Sequence, residues 1–238
     1  MSHYQFQIEL LSDTTFGRGD GVAGLVDQEV EHDRYGLPYL RGRTLKGLLS
    51  EECDNLITCL SEEAQRQYWN RVACQLFGRA GSSLDTIAKA HFGDAQLPDD
   101  LRTAVAHQVR NEQFTRAEIL ESLTTIRRQT AIDPQTGVPD EGSLRSLRVA
   151  LQELTFTATL LIDNDTLDSD IKMDHLLALL TVGASALRYL GNGRNRGRGH
   201  VRCCLLNESR KPLSKDFSQY LDIFFNHQNV SLPTTEVS

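Results

Sequence analysis

Three arginines, Arg194, Arg196 and Arg198, lie among four glycines in the stretch Gly191-Asn-Gly-Arg-Asn-Arg-Gly-Arg-Gly199. Glycine lets a backbone come close to a bulky ligand, and the planar arginine fork matches phosphate oxygens two at a time. That combination suits a sugar-phosphate strand better than a metabolite. It is not a dinucleotide loop, which follows a strand and opens a helix whose positive end holds the pyrophosphate. Here a helix is predicted before the loop and a strand after it, and the third glycine of G-x-G-x-x-G falls on Arg196. The nearby helix end would carry partial negative charge, so anion binding would depend on the arginines and backbone amides. A second reading stays open, in which the segment caps a helix and its arginines neutralise the helix end.

The elements around this loop follow from hydrophobic spacing. Tyr4, Phe6, Ile8 and Leu10 alternate with polar residues, as do Leu154, Phe156, Ala158, Leu160 and Ile162, and both patterns predict strands with one buried face. Leu45, Leu48, Leu49, Cys53, Leu56, Ile57 and Leu60 recur at helical spacing from Thr44 onward, packing on the first strand. A second helix is predicted over Glu62–Phe77, stopped by Gly78, and a third over Lys172–Leu190, stopped by Gly191. A strand is expected over His200–Leu206, and a short strand and turn fits Ala90-His-Phe-Gly-Asp-Ala95. Ser12–Gly36 holds glycines at 17, 19, 21 and 24 without helical period, which predicts a long shaped loop. Asp99–Arg128 reads as polar and weakly helical, and Gln129–Gly142, rich in Pro, Gly, Asp and Thr, as a projecting arm. Strand, helix, hairpin-bearing middle, strand, helix, strand is the order of a ferredoxin-like domain with insertions.

Composition narrows the classes. The 238 residues, 39% of them hydrophobic, can bury one substantial core. No stretch approaches the roughly 20 apolar residues of a membrane span, and the first ten residues lack a signal pattern, so a cytoplasmic protein without membrane contact is expected. Five cysteines without a C-x-x-C suggest neither a disulfide framework nor a zinc ribbon. A net charge of -7 argues against nucleic acid when taken alone. Its distribution argues otherwise, because Gly191–Arg202 carries four arginines and no carboxylate, while acid gathers in Asp163–Asp170 and in the Glu51-Glu52 and Glu62-Glu63 pairs.

Three separated features, taken together, resemble the RAMP superfamily, specifically the Csm/Cmr-type backbone subunit of type III CRISPR effector complexes. Gly36-Leu-Pro-Tyr-Leu-Arg-Gly-Arg-Thr-Leu-Lys-Gly47 is similar to the family's G-x-P-x-I-P-G-S-S-L-K-G turn, and the glycine-arginine loop is the second feature. Leu76-Phe-Gly78, Gly93-Asp-Ala95, Thr130–Gly137 and Gly142–Arg145 resemble its L-F-G, D-A and thumb segments. Arg41 and Arg43 stand where the family often has Pro and Ser, which adds charge and leaves Thr44 as the hydroxyl of the turn.

The resemblance implies an α+β, ferredoxin-like (RRM-like) palm in one domain over 1–238, with a lid at about 12–36, a helical insertion at about 98–128 and a thumb arm at about 129–152. It implies contacts to guide RNA from Arg41, Arg43, Thr44, Lys46, Arg127, Arg128, Gly193, Arg194, Arg196, Gly197 and Arg198, and a thumb bearing Ile132, Asp133 and Thr136. Backbone contacts carry no sequence information, which base pairing by the guide supplies. Expected partners are guide RNA, target RNA and other subunits, including copies of this chain or related RAMP proteins.

Family members that cut target RNA share a loop aspartate before the first helix, and the match is Asp27. Internal attack requires an aligned 2′-hydroxyl, whose proton a carboxylate can take or near which it can hold a divalent ion such as Mg²⁺. Asp20, Glu29, Glu31 and Asp33 lie close by and are alternatives, His32 is the one nearby imidazole, and no paired histidines suit acid-base cleavage. Rival readings are a non-cutting RNA-binding subunit, a guide-processing endoribonuclease and a small-molecule enzyme. The second expects its glycine-rich loop at the extreme C-terminus, whereas here about forty residues follow it; the element order disfavours the third.

Overall fold

The first alternating stretch forms β1 (Ser2–Leu10), with Phe6, Ile8 and Leu10 fully buried and Gln5, Gln7 and Glu9 on the other face. The computed structural model of the chain describes residues 1–78, 87–163, 167–193 and 196–226. β1 is flanked on both sides by antiparallel partners, β5 (Thr155–Ile162) and β6 (Val201–Leu206), in registers that set Phe6 opposite Ala158 and Leu205. The buried sets Phe156, Ala158, Leu160, Ile162 and Val201, Cys203, Leu205 thus share the core face. A short β2 (Ala90–Phe92) adds to the free edge of β5, completing the order β2-β5-β1-β6.

One face of this sheet is covered by α1 (Gly42–Thr58) and α5 (Met173–Ala186), which also lie against each other, while α2 (Glu63–Phe77) packs against both. Gly183 permits the α1 crossing, since a Cβ there would come within 2.6 Å of Cys53 Sγ. Along the chain β1, α1, β2, β5, α5 and β6 run in the β-α-β-β-α-β order expected.

α1 starts two residues earlier than its apolar period predicts. Arg41, at the cap position, makes no side-chain capping bond; instead Asp94, just past β2, accepts from Gly42 N–H at 2.8 Å. A Cβ on Gly42 would collide with the carbonyls of Phe92 and Gly93, so the 92–94 turn seats the helix start on the sheet edge. Replacing Asp94 with alanine is expected to cost about 1 kcal/mol through loss of this cap, read as a lower urea midpoint, with Asp94→Asn retaining most of the stability.

Residues 99–128 depart from the weakly helical expectation. They hold α3 (Asp99–Arg110), α4 (Arg116–Leu123) and then β3 (Thr124–Gln129), so the last residues of the expected helical insertion are strand. A capping box between Thr115 and Glu118 starts α4, and the β-branched run Thr124-Thr-Ile126 favours the switch. β3 pairs with β4 (Arg145–Ala150) as a separate antiparallel ribbon, Thr124 opposite Ala150 and Gln129 opposite Arg145. Residues 130–144 are therefore the tip of a hairpin. An Ile132–Pro139 bridge and a turn in which Asp133 accepts from Thr136 Oγ1 and Gln135 N–H close it, and those bonds hold the Asp133 carboxyl below its ordinary range.

The 12–36 segment runs beside β4, bridging Thr14 to Ala150 and Gln28 to Leu147. Glu29, of this segment, and Arg148, of β4, form a buried ion pair with Nε–Oε1 at 2.9 Å. A further helix, α6 (Phe217–Asn226), not anticipated from the sequence, lays Phe224 against Trp69 and accepts from Trp69 Nε1 at the Phe224 carbonyl at 3.0 Å. Among the described residues no helix is long and apolar enough to cross a membrane.

Candidate nucleic-acid interface

The apolar run that reads as helix up to Leu190 leaves α5 at Ala186, where Leu187 N–H closes the last turn on the Gly183 carbonyl. Beyond it the backbone finds partners in the strand that follows the loop. Leu190 N–H donates to Gly199 at 2.8 Å, Val201 N–H donates to Arg188 at 2.9 Å, and Tyr189 bridges His200. Gly191 and Gly199 both sit at φ +74°, and a Cβ on either would strike the carbonyl of Thr15 or of Leu190 respectively. The glycines therefore close the neck of a protruding loop. Arg196 and Arg198 do not stand at the end of α5, which closes at Ala186, four residues before the loop begins.

An open groove of about 1280 Å³ is lined from this loop by Gly191, Asn192, Gly193, Arg196 and Arg198. Gln129, Leu144 and Arg145 at the root of the arm line it as well, together with Asp27 and Gln28. The loop and the 12–36 segment are linked where Asn192 Nδ2 donates to Gln28 Oε1 at 3.1 Å. Arg188, Tyr189 and, from α1, Glu51, Glu52 and Asn55 complete the lining.

Asp27 is anchored from both ends to β4. Its N–H donates to the Ser146 carbonyl at 2.8 Å, and its Oδ2 accepts from Ser146 N–H at 2.6 Å. The side chain is exposed and faces the groove. Gly21 supports the turn that presents it, because a Cβ there would run into the Val26 and Asp27 carbonyls. The other loop acids are otherwise engaged. Glu29 is paired with Arg148, Glu31 accepts from Arg41 and from Tyr39 Oη, Asp20 pairs with Arg18, and Asp33 accepts from Tyr35 and Leu37 N–H. Of the five acids, Asp27 alone lines the groove.

The arginines divide in the same manner. Arg145, Arg188, Arg196 and Arg198 line the groove and make no ion pair with a described residue. Arg41 is tied to Glu31 at 2.8 Å, and Arg127 donates from Nε and Nη2 to Asp13 Oδ2 at 2.9 and 2.7 Å. Arg43, Thr44 and Arg128 are exposed and outside the groove lining. Lys46 is also outside it, half-buried on α1, with its ammonium pushed below the ordinary range by desolvation. Gly197 lies in the loop at φ +73°, Arg194 lies outside the described residues, and Ile132 stands exposed on the arm.

Sequence reasoning missed Arg188 and Tyr189, hidden in what reads as an apolar helix. It noted Glu51 and Glu52 only as acid. A signal was available there, since Leu48, Glu51, Glu52 and Asn55 recur at spacings of three and four along one face of α1, flanking the buried Leu45, Leu49 and Cys53.

No curated protein matches the chain. Among solved structures it is similar to a chain of the type III-B Cmr-beta complex in the cryo-EM structure of its apo state, with 14% identity and a TM-score of 0.58, over 87% of this chain and 98% of that one. It is similar as well to a chain of the type III-B Cmr-beta complex bound to cognate target RNA, with 13% identity and a TM-score of 0.56, over 86% and 97% respectively. At such identities the likeness is one of fold. A family model described as the RAMP superfamily matches residues 7–202, most of the sequence and every groove element named above, and the chain belongs to that superfamily.

Proposed function

We propose that this chain is a guide-RNA-binding backbone subunit of a type III CRISPR interference complex and that, once assembled, it acts as an endoribonuclease on the paired target RNA. The observation that carries the reading is the groove itself, which Arg196 and Arg198, without an ion-pair partner among the described residues, line together with Asp27. Unpaired guanidinium groups are available to phosphate oxygens without first breaking an ion pair. Arg194 belongs to the same phosphate track by its place in the loop, while Arg43, Thr44 and Lys46 at the start of α1 approach a further phosphate. The arm, with Ile132 exposed on it, separates bases so that a target nucleotide turns its 2′-hydroxyl toward Asp27. Similarity to Cmr-beta chains, one of them in a complex with target RNA, supports guide RNA, target RNA and other complex subunits as the partners.

In the reaction the 2′-oxygen attacks the adjacent phosphorus, its proton passes to the Asp27 carboxylate, and the P–O5′ bond breaks, the leaving 5′-oxygen taking a proton from water, giving a 2′,3′-cyclic phosphate and a 5′-hydroxyl. The hydrogen bond from Ser146 N–H orients the carboxylate and leaves Oδ1 for the proton. Among the described residues no cluster of three His, Cys, Asp or Glu forms a ready-made cation cage. Where Asp27 acts instead by holding Mg²⁺, it would do so as a single carboxylate, the looser fit this ion tolerates when substrate phosphate and water supply its other ligands. Such an ion would neutralise charge building up on the phosphate.

The binding half of the reading is tested with the full chain and single-stranded RNA over a salt series. Arg196→Ala/Arg198→Ala is expected to weaken binding and to lower the slope of log K against log salt by about 0.7 for each phosphate that the variant no longer neutralises. No gel shift by the unmodified chain at low salt, or an unchanged slope in the variant, overturns it.

A further inference from the structure

Tyr189 occupies a position that its sequence context conceals. It lies beyond the end of α5, held by the Tyr189–His200 bridge between the flanking bonds Leu190–Gly199 and Val201–Arg188. Its ring stacks on the His200 imidazole, with centroids 5.3 Å apart and planes 27° from parallel. The imidazole thus backs one face of the phenol, and the residue is still 45% exposed. Among the described residues Tyr189 is the one aromatic side chain lining the groove, next to Arg188 and facing the same space as Arg196, Arg198 and Asp27.

An aromatic ring fixed by its backbone, stiffened from behind and open in front of unpaired arginines has the form of a single-strand platform. Every base offers a π-face, so stacking on such a ring binds without reading sequence, while guanidinium groups hold the phosphates alongside. We propose that Tyr189 is a stacking platform for one nucleobase of the RNA strand whose phosphates Arg196 and Arg198 contact. The inference rests on the RNA-binding reading above and names the group that sets the orientation of the strand in the groove. Stacking uses the ring and not the hydroxyl, so phenylalanine serves in its place and leucine, of similar bulk without a π-face, does not.

The experiment uses the full chain and a short single-stranded RNA containing 2-aminopurine, alongside the same backbone with abasic positions. The unmodified chain and Tyr189→Phe are expected to quench the 2-aminopurine fluorescence on binding. Tyr189→Leu is expected to lose the quenching and about tenfold in affinity, with an unchanged salt slope. On the abasic RNA all three proteins should bind alike. The inference is overturned if Tyr189→Leu binds and quenches as the unmodified chain does while that chain binds RNA normally. It is equally overturned if the loss is as large on abasic RNA, since the ring would then act by shaping the loop or touching the backbone. Absence of binding by the unmodified chain removes the RNA reading itself, and this inference with it.

Discussion

In assembled particles, Asp27→Ala should reduce target-RNA cleavage by about 10²- to 10⁴-fold, the range that a positioned proton acceptor contributes, while guide and target stay bound. The argument is geometric. Asp27 is exposed, faces the groove, and is fixed to Ser146 through both its N–H and its Oδ2. Asp27→Asn keeps the acceptor for Ser146 N–H and removes only the charge, so it should be almost as inactive as alanine, which separates proton transfer from loop support. Asp20→Ala and Asp33→Ala should keep their activity, because Asp20 pairs with Arg18 and Asp33 serves the backbone of residues 35 and 37. Product ends read on a denaturing gel, with a 2′,3′-cyclic phosphate on the upstream fragment, decide the chemistry. Undiminished cleavage with Asp27→Ala sinks the catalytic assignment and leaves a subunit that binds RNA without cutting it.

The largest expected loss of stability is at Arg148. Its side chain is 7% exposed and that of its partner Glu29 is 3% exposed, with Nε–Oε1 at 2.9 Å. Arg148 Nη1 also donates to Thr124 Oγ1 at 3.3 Å, and Glu29 Oε1 accepts from Val30 N–H at 2.9 Å. One buried pair thereby joins the 12–36 segment, β3 and β4. Arg148→Met strands the Glu29 carboxylate away from water and is expected to cost about 3–5 kcal/mol. Replacing both partners, Glu29→Leu with Arg148→Met, leaves no unpaired charge and should recover most of that loss, because desolvation of two ions consumes much of what their attraction returns. Urea midpoints of the two single variants and the double variant measure this directly. Single and double variants of equal stability would show that the pair is not what joins these elements. Glu29 is two residues from Asp27, so Arg148→Met should also reduce cleavage through a misplaced carboxylate.

The legible parts of the fold share a physical property. β1, β5, α1 and α2 each bury one face against a continuous core, so their apolar residues repeat with the period of the element, and local spacing is enough to find them. α5 is buried all round from His175 to Ala184, so its period is blurred and its end is set by something else, the competition of the Gly199 and Val201 backbone for residues 188–190. β3 follows directly on α4 in a polar stretch, and its pairing residues lie in β4, beyond the arm. α6 is short and takes its stability from Trp69, far away in the chain.

The site divides along the same line. Chemical types and local turns were legible in order of residues alone: a glycine-arginine loop free of acid, a long loop rich in carboxylates, an arm punctuated by Pro and Gly. Composition limits what a segment can bind, and glycine limits where its backbone can go. Which carboxylate and which arginines remain available was settled by folding, since Glu29, Glu31 and Asp20 find cationic partners, Arg41 and Arg127 find anionic ones, and Asp27, Arg196 and Arg198 are left facing one groove. Pairings of this sort join residues as far apart as Glu29 and Arg148, and no local period records them.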